Sequence, residues 1–434
     1  MLRDAFLPPL PEHSREQPHF RAREKPAHYL SARWTPETLG KLVTALREGA
    51  AALREIPAED LLAAWGDTVT LFLRSTSLER RALDPSLVRL SGLSKDGMTA
   101  GLDAVLGGVR REPAAALFAQ AGRAAPEEAG PVLVVLASNL PALAVQPLLP
   151  ALILRRPVLL KSSSAEPLFA PAFLTALARR EPRLAGAVAA ATWPGGDAKL
   201  EAPVLAEVGT VLAYGEDKAL EDLERRAPGK VIGYGAKTSL AVIGAEVDPR
   251  EAAEGLARDI ALFDQRGCLS VAAVYTAGDA AALGERLGAA LLDYARRWPS
   301  GPAARPMMAA VQHQRLEAEM RGLWQSSLPL RDGTVIVDPK PELRPSPGLR
   351  TVRVHPLEDL ARLPGLLEPW RGRLQGVALA GEDAWRLEPG LAALGVSRCA
   401  APGELQSPDA TWHNGGINPL EALTSPWRPA SPRR

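Results

Sequence analysis

The sequence predicts an α/β protein: a doubly wound parallel sheet followed by a second α/β unit. Three observations predict it. Short apolar runs alternate with helical stretches between residues 131 and 215. Those runs are apolar at consecutive positions, the pattern of strands covered on both faces. After residue 244 a new helix start opens a second series of short strands. Alternation of strand and helix implies parallel strands joined by crossovers.

Residues 1–34 are rich in proline and mixed in charge, and read as an N-terminal arm with little order of its own. At Thr35 a hydroxyl residue precedes Pro36, a start signal for a helix. Helical patterns run on to about residue 121, and 122–130 reads as a loop. Strands are expected at 131–137, 157–161, 186–193 and 210–214, with helices at 142–155, 168–180 and 202–207 between them. Ligands of such sheets sit beyond the carboxyl ends of the strands. That rule singles out 138–139, 161–164, 193–197 and 215–217.

In the second unit, Asp248, Pro249 and Glu251 read as a capping box for a helix reaching about residue 263. A strand follows at 270–276, then a helical stretch over 278–330, then strands at 334–337, 350–354 and 374–379. The expected division is 1–34 arm, 35–241 nucleotide domain, 242–400 catalytic domain and 401–434 C-terminal segment. No internal repeat is present.

Composition excludes several function classes. A net charge of +1 lacks the basic excess of a nucleic-acid binder. Two cysteines in 434 residues make no disulfide framework and fit a reducing compartment. The six histidines and two cysteines show no metal-ligand spacing, so no metal is expected. The first twenty residues lack the apolar centre of a signal peptide. The longest apolar run, 140–154, is broken by Pro147 and Pro150 and ends at Arg155, so no membrane span is expected. A cytoplasmic protein is the expectation.

Cys268 falls between a helix and a strand, beside the flexible Gly267. That is an exposed position, unlike the interior of either element, although free cysteine also serves as a small core residue. The residues around it have a pattern. Ser138-Asn139-Leu140-Pro141 follows a strand, Lys161 ends the next strand, Tyr234-Gly235-Ala236-Lys237 makes a turn, and Phe263-Asp264-Gln265-Arg266-Gly267-Cys268 comes after. In this order the blocks resemble the aldehyde dehydrogenase superfamily, over roughly residues 35–420. Three later blocks narrow it: Leu366 to Gln375, Leu394 to Arg398 and Trp412 to Leu420. They are similar to the acyl-CoA reductase branch, relatives of the fatty acid reductase of bacterial luminescence.

The resemblance implies an aldehyde dehydrogenase-like fold: a Rossmann-type cofactor domain, an α/β catalytic domain, and a small oligomerisation element built from a segment near 110–130 and the C-terminus. It implies a dimer or tetramer. It makes Cys268 the nucleophile and Asn139 an oxyanion donor beside the Cys268 backbone N–H. Lys161, Ser163, Ser164, Gly195, Gly215, Gly235 and Glu368 become cofactor contacts. Ser164 stands where many NAD-dependent relatives carry a glutamate, which favours NADPH, with NADH as the alternative. Gly233 stands where hydrolytic members carry the glutamate that activates water. An acyl-enzyme without that base is open to hydride or to a thiol. The expected reaction is reduction of an acyl thioester, on CoA or on an acyl carrier protein, to an aldehyde. Two rivals stay open: an acyl-phosphate reductase of the glutamyl-phosphate type, with Arg266 gripping phosphate, and a non-catalytic acyl-binding scaffold. The Glu216–Asp217 pair, at a helix start that should face a pyrophosphate, departs from the family.

Overall fold

A computed structural model describes residues 1–9, 18–121 and 129–424. A short antiparallel hairpin, β1 (His19–Arg23) and β2 (Tyr29–Arg33), precedes two parallel sheets. The first sheet holds β3 (Val132–Val135), β4 (Val158–Ser162), β5 (Val188–Thr192), β6 (Thr210–Tyr214) and β7 (Lys230–Tyr234) in the order β5-β4-β3-β6-β7. The chain steps outward from β3 to β5, then returns to place β6 on the other side of β3. That reversal opens a crevice beyond the carboxyl ends of β3 and β6, where ligands of such sheets bind. Asn139 follows β3 and Gly215 follows β6, so both sit at it.

The second sheet contains β8 (Thr238–Ile243), β9 (Val271–Thr276), β10 (Thr334–Val337), β11 (Thr351–Pro356), β12 (Leu374–Ala380) and β13 (Arg398–Ala400), in the order β10-β11-β9-β8-β12-β13. All its pairings are parallel. Its amino edge, carrying the residues before β8 and β9, faces the crevice of the first sheet across one cavity.

Short polar side chains close the first turns of several helices. Thr35 and Thr38 exchange bonds in a capping box, and Ser77, Ser94, Asp197 and Asp279 each accept a first-turn N–H. The helix Ala58–Leu73 buries Trp65 and Phe72 against Phe169 and Phe173 of the helix Phe169–Arg180. Ring centroids 5.3–5.5 Å apart are the usual aromatic packing distance.

Several expectations change. The described part of the N-terminal arm is packed, not loose. Phe6 exchanges two backbone bonds of 2.9 Å with Ala190, and the buried Asp4 carboxylate accepts from Ala32 N at 2.8 Å. The arm thereby covers the free edge of β5, which would otherwise expose unpaired backbone. Residues 10–17 lie outside the described residues. The chain passes from the first sheet to the second at 235–237. β7 pairs with β6, but β8 already pairs with β9 and β12. The crossing takes three residues, too few to leave a loop signal. The helical stretch 278–330 is two helices, Ala280–Arg297 and Arg305–Met320. Pro302 lies in the break between them, and Gly322, at φ +64°, follows the second. Asp248 accepts from Arg250 N at 2.8 Å, without the reciprocal Glu251 bond of a capping box.

Of the segment expected near 110–130 to join subunits, the helix Arg111–Gln120 buries Ala114 and Leu117 in the chain's own core, and 122–128 lie outside the described residues. The C-terminal segment packs Leu420, Ala422 and Leu423 into that same core, and 425–434 lie outside the described residues.

Candidate active site

Cys268 lies between the helix Pro249–Ala261 and β9, at the end of an unusual turn. Phe263, Asp264 and Gln265 all have positive φ, at 58°, 52° and 62°. Left-handed backbone costs a residue with a Cβ about 1–2 kcal/mol, and it persists only where surroundings hold it. Each of the three is held. The Phe263 ring lies on Gly101, where a Cβ would come within 2.3 Å of a ring carbon. Asp264 accepts from buried Arg350 at 2.7 Å and from Gly301 N at 3.0 Å. The Gln265 side chain donates to Val271 O and Thr351 O and accepts from Thr351 N, each at 2.8 Å. Gln265 is therefore the peg that fixes the turn to β9 and β11.

Downstream, Gly267 N donates to Ser270 Oγ at 3.2 Å, and Ser270 Oγ donates to Gln406 Oε1 at 3.1 Å. A Cβ on Gly267 would stand 2.7 Å from that Gln406 oxygen and would push the Gln406 amide aside. Ser239 of β8 donates to Cys268 O at 2.8 Å and accepts from Gly376 N at 3.0 Å. The cysteine backbone is thus pinned from both sides.

Cys268 is half-buried and lines a cavity of about 610 Å³ between the two sheets. Burial pushes its thiol up to about 11, while Lys237 nearby draws it back down. Asn139 enters from the first sheet. Its Nδ2 donates to Arg266 O at 3.1 Å, which leaves one amide hydrogen for a second acceptor. Its Oδ1 is buried without a partner. Asn139, Ser163, Gly215, Gly235 and Cys268 all line this cavity.

The other expected contacts do not line it. Lys161 is buried at the end of β4, its Nζ 5.3 Å from the centre of the Trp193 ring, and burial lowers its basicity. The Trp193 indole donates to buried Glu201 at 3.0 Å. Ser164 and Gly195 are exposed. Glu368 is exposed and forms a two-point pair with Arg371 at 2.7 and 2.8 Å. Arg266 lines the cavity, but its guanidinium donates to Ser91 O at 2.7 Å and Phe263 O at 3.1 Å. His413 is exposed and outside the lining.

Sequence reasoning missed part of the wall. Tyr214 and Tyr234, at the ends of β6 and β7, stack with centroids 4.6 Å apart. Gln375 donates to Asn414 Oδ1 at 2.7 Å, and the C-terminal stretch from Trp412 to Ile417 closes this side of the cavity. The repeated Tyr-Gly at 214–215 and 234–235, each at a strand end, was the available signal.

The residues fit an extended nucleotide. The cavity follows the carboxyl edge of β3, β4, β6 and β7, and Asn139 Oδ1 and the nearby Ser162 Oγ are buried without partners. One feature fits less well. The helix Asp217–Arg226 starts with Glu216, whose side chain makes no cap bond, and with Asp217, which covers Gly235. That helix start offers a pyrophosphate no close grip. Among the described residues no group of three or more acidic, histidine or cysteine side chains is placed to hold a metal. No described helix is long and apolar enough to cross a membrane.

The family profile described as acyl-CoA reductase (LuxC) matches residues 92–426. The long-chain acyl-protein thioester reductase of Aliivibrio fischeri is 27% identical over 276 residues, 62% of this chain and 57% of that one. Its counterpart in Photorhabdus laumondii is 29% identical over 150 residues, 33% of this chain and 31% of that one. The chain thus spans between about a third and somewhat over half the length of these relatives. An aldehyde dehydrogenase of known structure from Physcomitrella patens superimposes with a TM-score of 0.74 at 14% identity, over 98% of this chain and 96% of that one. The aldehyde dehydrogenase-like fold, with its nucleotide-binding and catalytic sheets, is the fold of this chain.

Proposed function

The chain belongs to the acyl-CoA reductase (LuxC) family, and from that premise we propose that it reduces an acyl thioester to an aldehyde through an acyl-Cys268 intermediate. The observation that carries the reading is the lining of one cavity. A pinned cysteine and an asparagine amide with a free hydrogen share it, and Gly233 stands where a water-activating carboxylate is expected. Among its described lining residues Glu216, at the start of a helix, is the sole carboxylate.

Cys268 would attack the thioester carbonyl and release the donor thiol. The free Asn139 N–H and the Cys268 backbone N–H would stabilise the oxyanion; one such donor is worth ~3 kcal/mol of barrier. The bound nicotinamide would supply the hydride that releases the aldehyde. NADPH is the preferred form in this reading. Ser164 leaves the ribose end without a carboxylate, and Glu166 is engaged in capping the helix Phe169–Arg180 through Leu168 N and Phe169 N, at 3.0 and 2.9 Å. Lys161 remains the cation of that strand end. Acyl-CoA and an acyl carrier protein are the candidate donors, and a homo-oligomer the candidate assembly.

Intact mass spectrometry tests this. Wild type and Cys268→Ala are incubated with acyl-CoAs of increasing chain length, and NADPH or NADH is then added. The expected result is a mass gain in wild type alone, discharged as aldehyde, and faster with NADPH. Cofactor binding without an adduct from any acyl-CoA would move the donor to a carrier protein or an acyl phosphate. Neither adduct nor cofactor binding would leave the non-catalytic scaffold.

A further inference from the structure

A thioester attack starts with a thiol that must lose its proton. In this cavity burial disfavours the thiolate of Cys268. The carboxylate that could take a proton in hydrolytic relatives is missing at Gly233. Lys237 is placed for the task. It is the last residue of the crossing between the sheets, directly before β8. Along a strand, residues two apart share a face. Ser239, two residues on, reaches the Cys268 carbonyl at 2.8 Å. Lys237 lies one side-chain repeat earlier, and both it and Cys268 line the cavity.

The ammonium group is confined from the other side. A Cβ added at Gly415, in the C-terminal stretch, would stand 3.5 Å from the Lys237 Nζ, so that stretch lies beside the amine. No hydrogen bond or ion pair engages it among the described residues. The other titratable groups of the wall are Tyr214, Tyr234, Glu216 and Arg266. The tyrosines are pushed up by burial and stay neutral. Glu216 belongs to the start of the helix Asp217–Arg226, and Arg266 is engaged with carbonyls.

We infer that Lys237 is the proton carrier of the acyl-transfer step. The inference rests on the reading of Cys268 as acyl acceptor. The neutral amine takes the thiol proton as the Sγ–carbonyl bond forms. The tetrahedral intermediate collapses by breaking the bond to the donor sulfur. The leaving thiolate takes the proton from the Lys237 ammonium and departs as a free thiol. Lys237 returns to the neutral amine, and no external acid or oxidant is needed. Burial, which lowers the basicity of Lys237, keeps a share of it neutral, and the nearby cysteine opposes this in part.

Two readouts test it on the intact protein. The first is the pH profile of Cys268 alkylation by iodoacetamide, with Cys399 replaced by serine throughout. Lys237→Gln is expected to move the inflection up by about one unit through loss of the cation, and Lys237→Arg to leave it near wild type. The second is single-turnover acylation by an acyl-CoA. Both variants are expected to be slower by about 10²-fold or more, because arginine keeps the charge but carries no removable proton. An alkylation profile in Lys237→Gln equal to wild type overturns the inference, as does full acylation in Lys237→Arg. If the glutamine variant does not fold, the arginine variant decides alone. Alkylation needs neither acyl donor nor cofactor. A profile that depends on Lys237 without any acyl adduct or cofactor binding therefore removes the reductase reading and keeps the Lys237–Cys268 pair. Normal acylation in Lys237→Arg removes the proton carrier and keeps the reductase.

Discussion

At Cys268, burial and backbone anchoring act against each other. Ser239 and the Gly267–Ser270 turn hold the cysteine backbone in place, while burial pushes the thiol pKa up to about 11. A fixed but protonated nucleophile depends on its neighbours for reactivity. Asn139 serves it twice, anchoring the Arg266 carbonyl and offering its second N–H to the cavity. Asn139→Ala is therefore expected to slow acylation by about 10²–10³-fold. Stopped-flow release of the donor thiol would measure this, and a rate within twofold of wild type would remove Asn139 from the site. Asn139 and Cys268 stand out in the sequence as candidates because the proposed chemistry calls for one residue type at a fixed place in a motif, and both line the cavity. Lys237 is harder to read. Its role depends on the strand register that brings Ser239 to the Cys268 carbonyl, and register is a property of pairing.

The next scale is the turn between the helix Pro249–Ala261 and β9. Three consecutive left-handed residues would unwind without their side-chain anchors. Gln265 carries the largest share, tying the turn to two strands at once. Gln265→Ala removes three bonds to β9 and β11. Thr351 keeps Ser346 Oγ on its carbonyl at 2.8 Å and Gly348 O on its N–H at 3.2 Å, and the expected cost is about 2 kcal/mol. Urea denaturation should show that loss, together with slower alkylation of Cys268 because the turn no longer fixes it. Unchanged stability would mean that Asp264 and Phe263 hold the turn unaided. The sequence read Phe263 to Cys268 as a catalytic motif. Most of its residues turn out to position the cysteine. Sequence alone could not separate the two, because Gly301, Arg350 and Thr351, which hold Asp264 and Gln265, lie 37 to 86 residues away.

For the whole molecule, the cavity exists because two sheets meet edge to edge and the C-terminal stretch closes the side. Buried Arg156 ties the helix Pro419–Thr424, which follows that stretch, to the amino edge of the first sheet. It donates to Leu423 O and Thr210 Oγ1 at 2.9 Å and to Gly130 O at 3.0 Å. Arg156→Met is expected to cost about 3 kcal/mol, in the range for lost bonds to a charged donor. Limited proteolysis should then cut near residue 424 faster than in wild type, and cofactor affinity should fall with it. A variant with wild-type proteolysis would show that the burial of Leu420 and Leu423 suffices.

The sequence by itself determined the alternation of strand and helix, the candidates Cys268 and Asn139 for nucleophile and amide donor, and the absence of a carboxylate at Gly233. These are local: periodicity, a residue type, a motif spacing. Only the tertiary structure decided that β8 belongs to the second sheet, that the arm covers β5, that Gln265 is a peg, and that Trp412 to Ile417 form a wall of the cavity. It also left Lys161, Ser164, Gly195 and Glu368 outside the cavity lining. The physical reason is the same each time. Each of these features is a contact between residues far apart in the chain, and pairing energy across a fold leaves no mark on the spacing of neighbours.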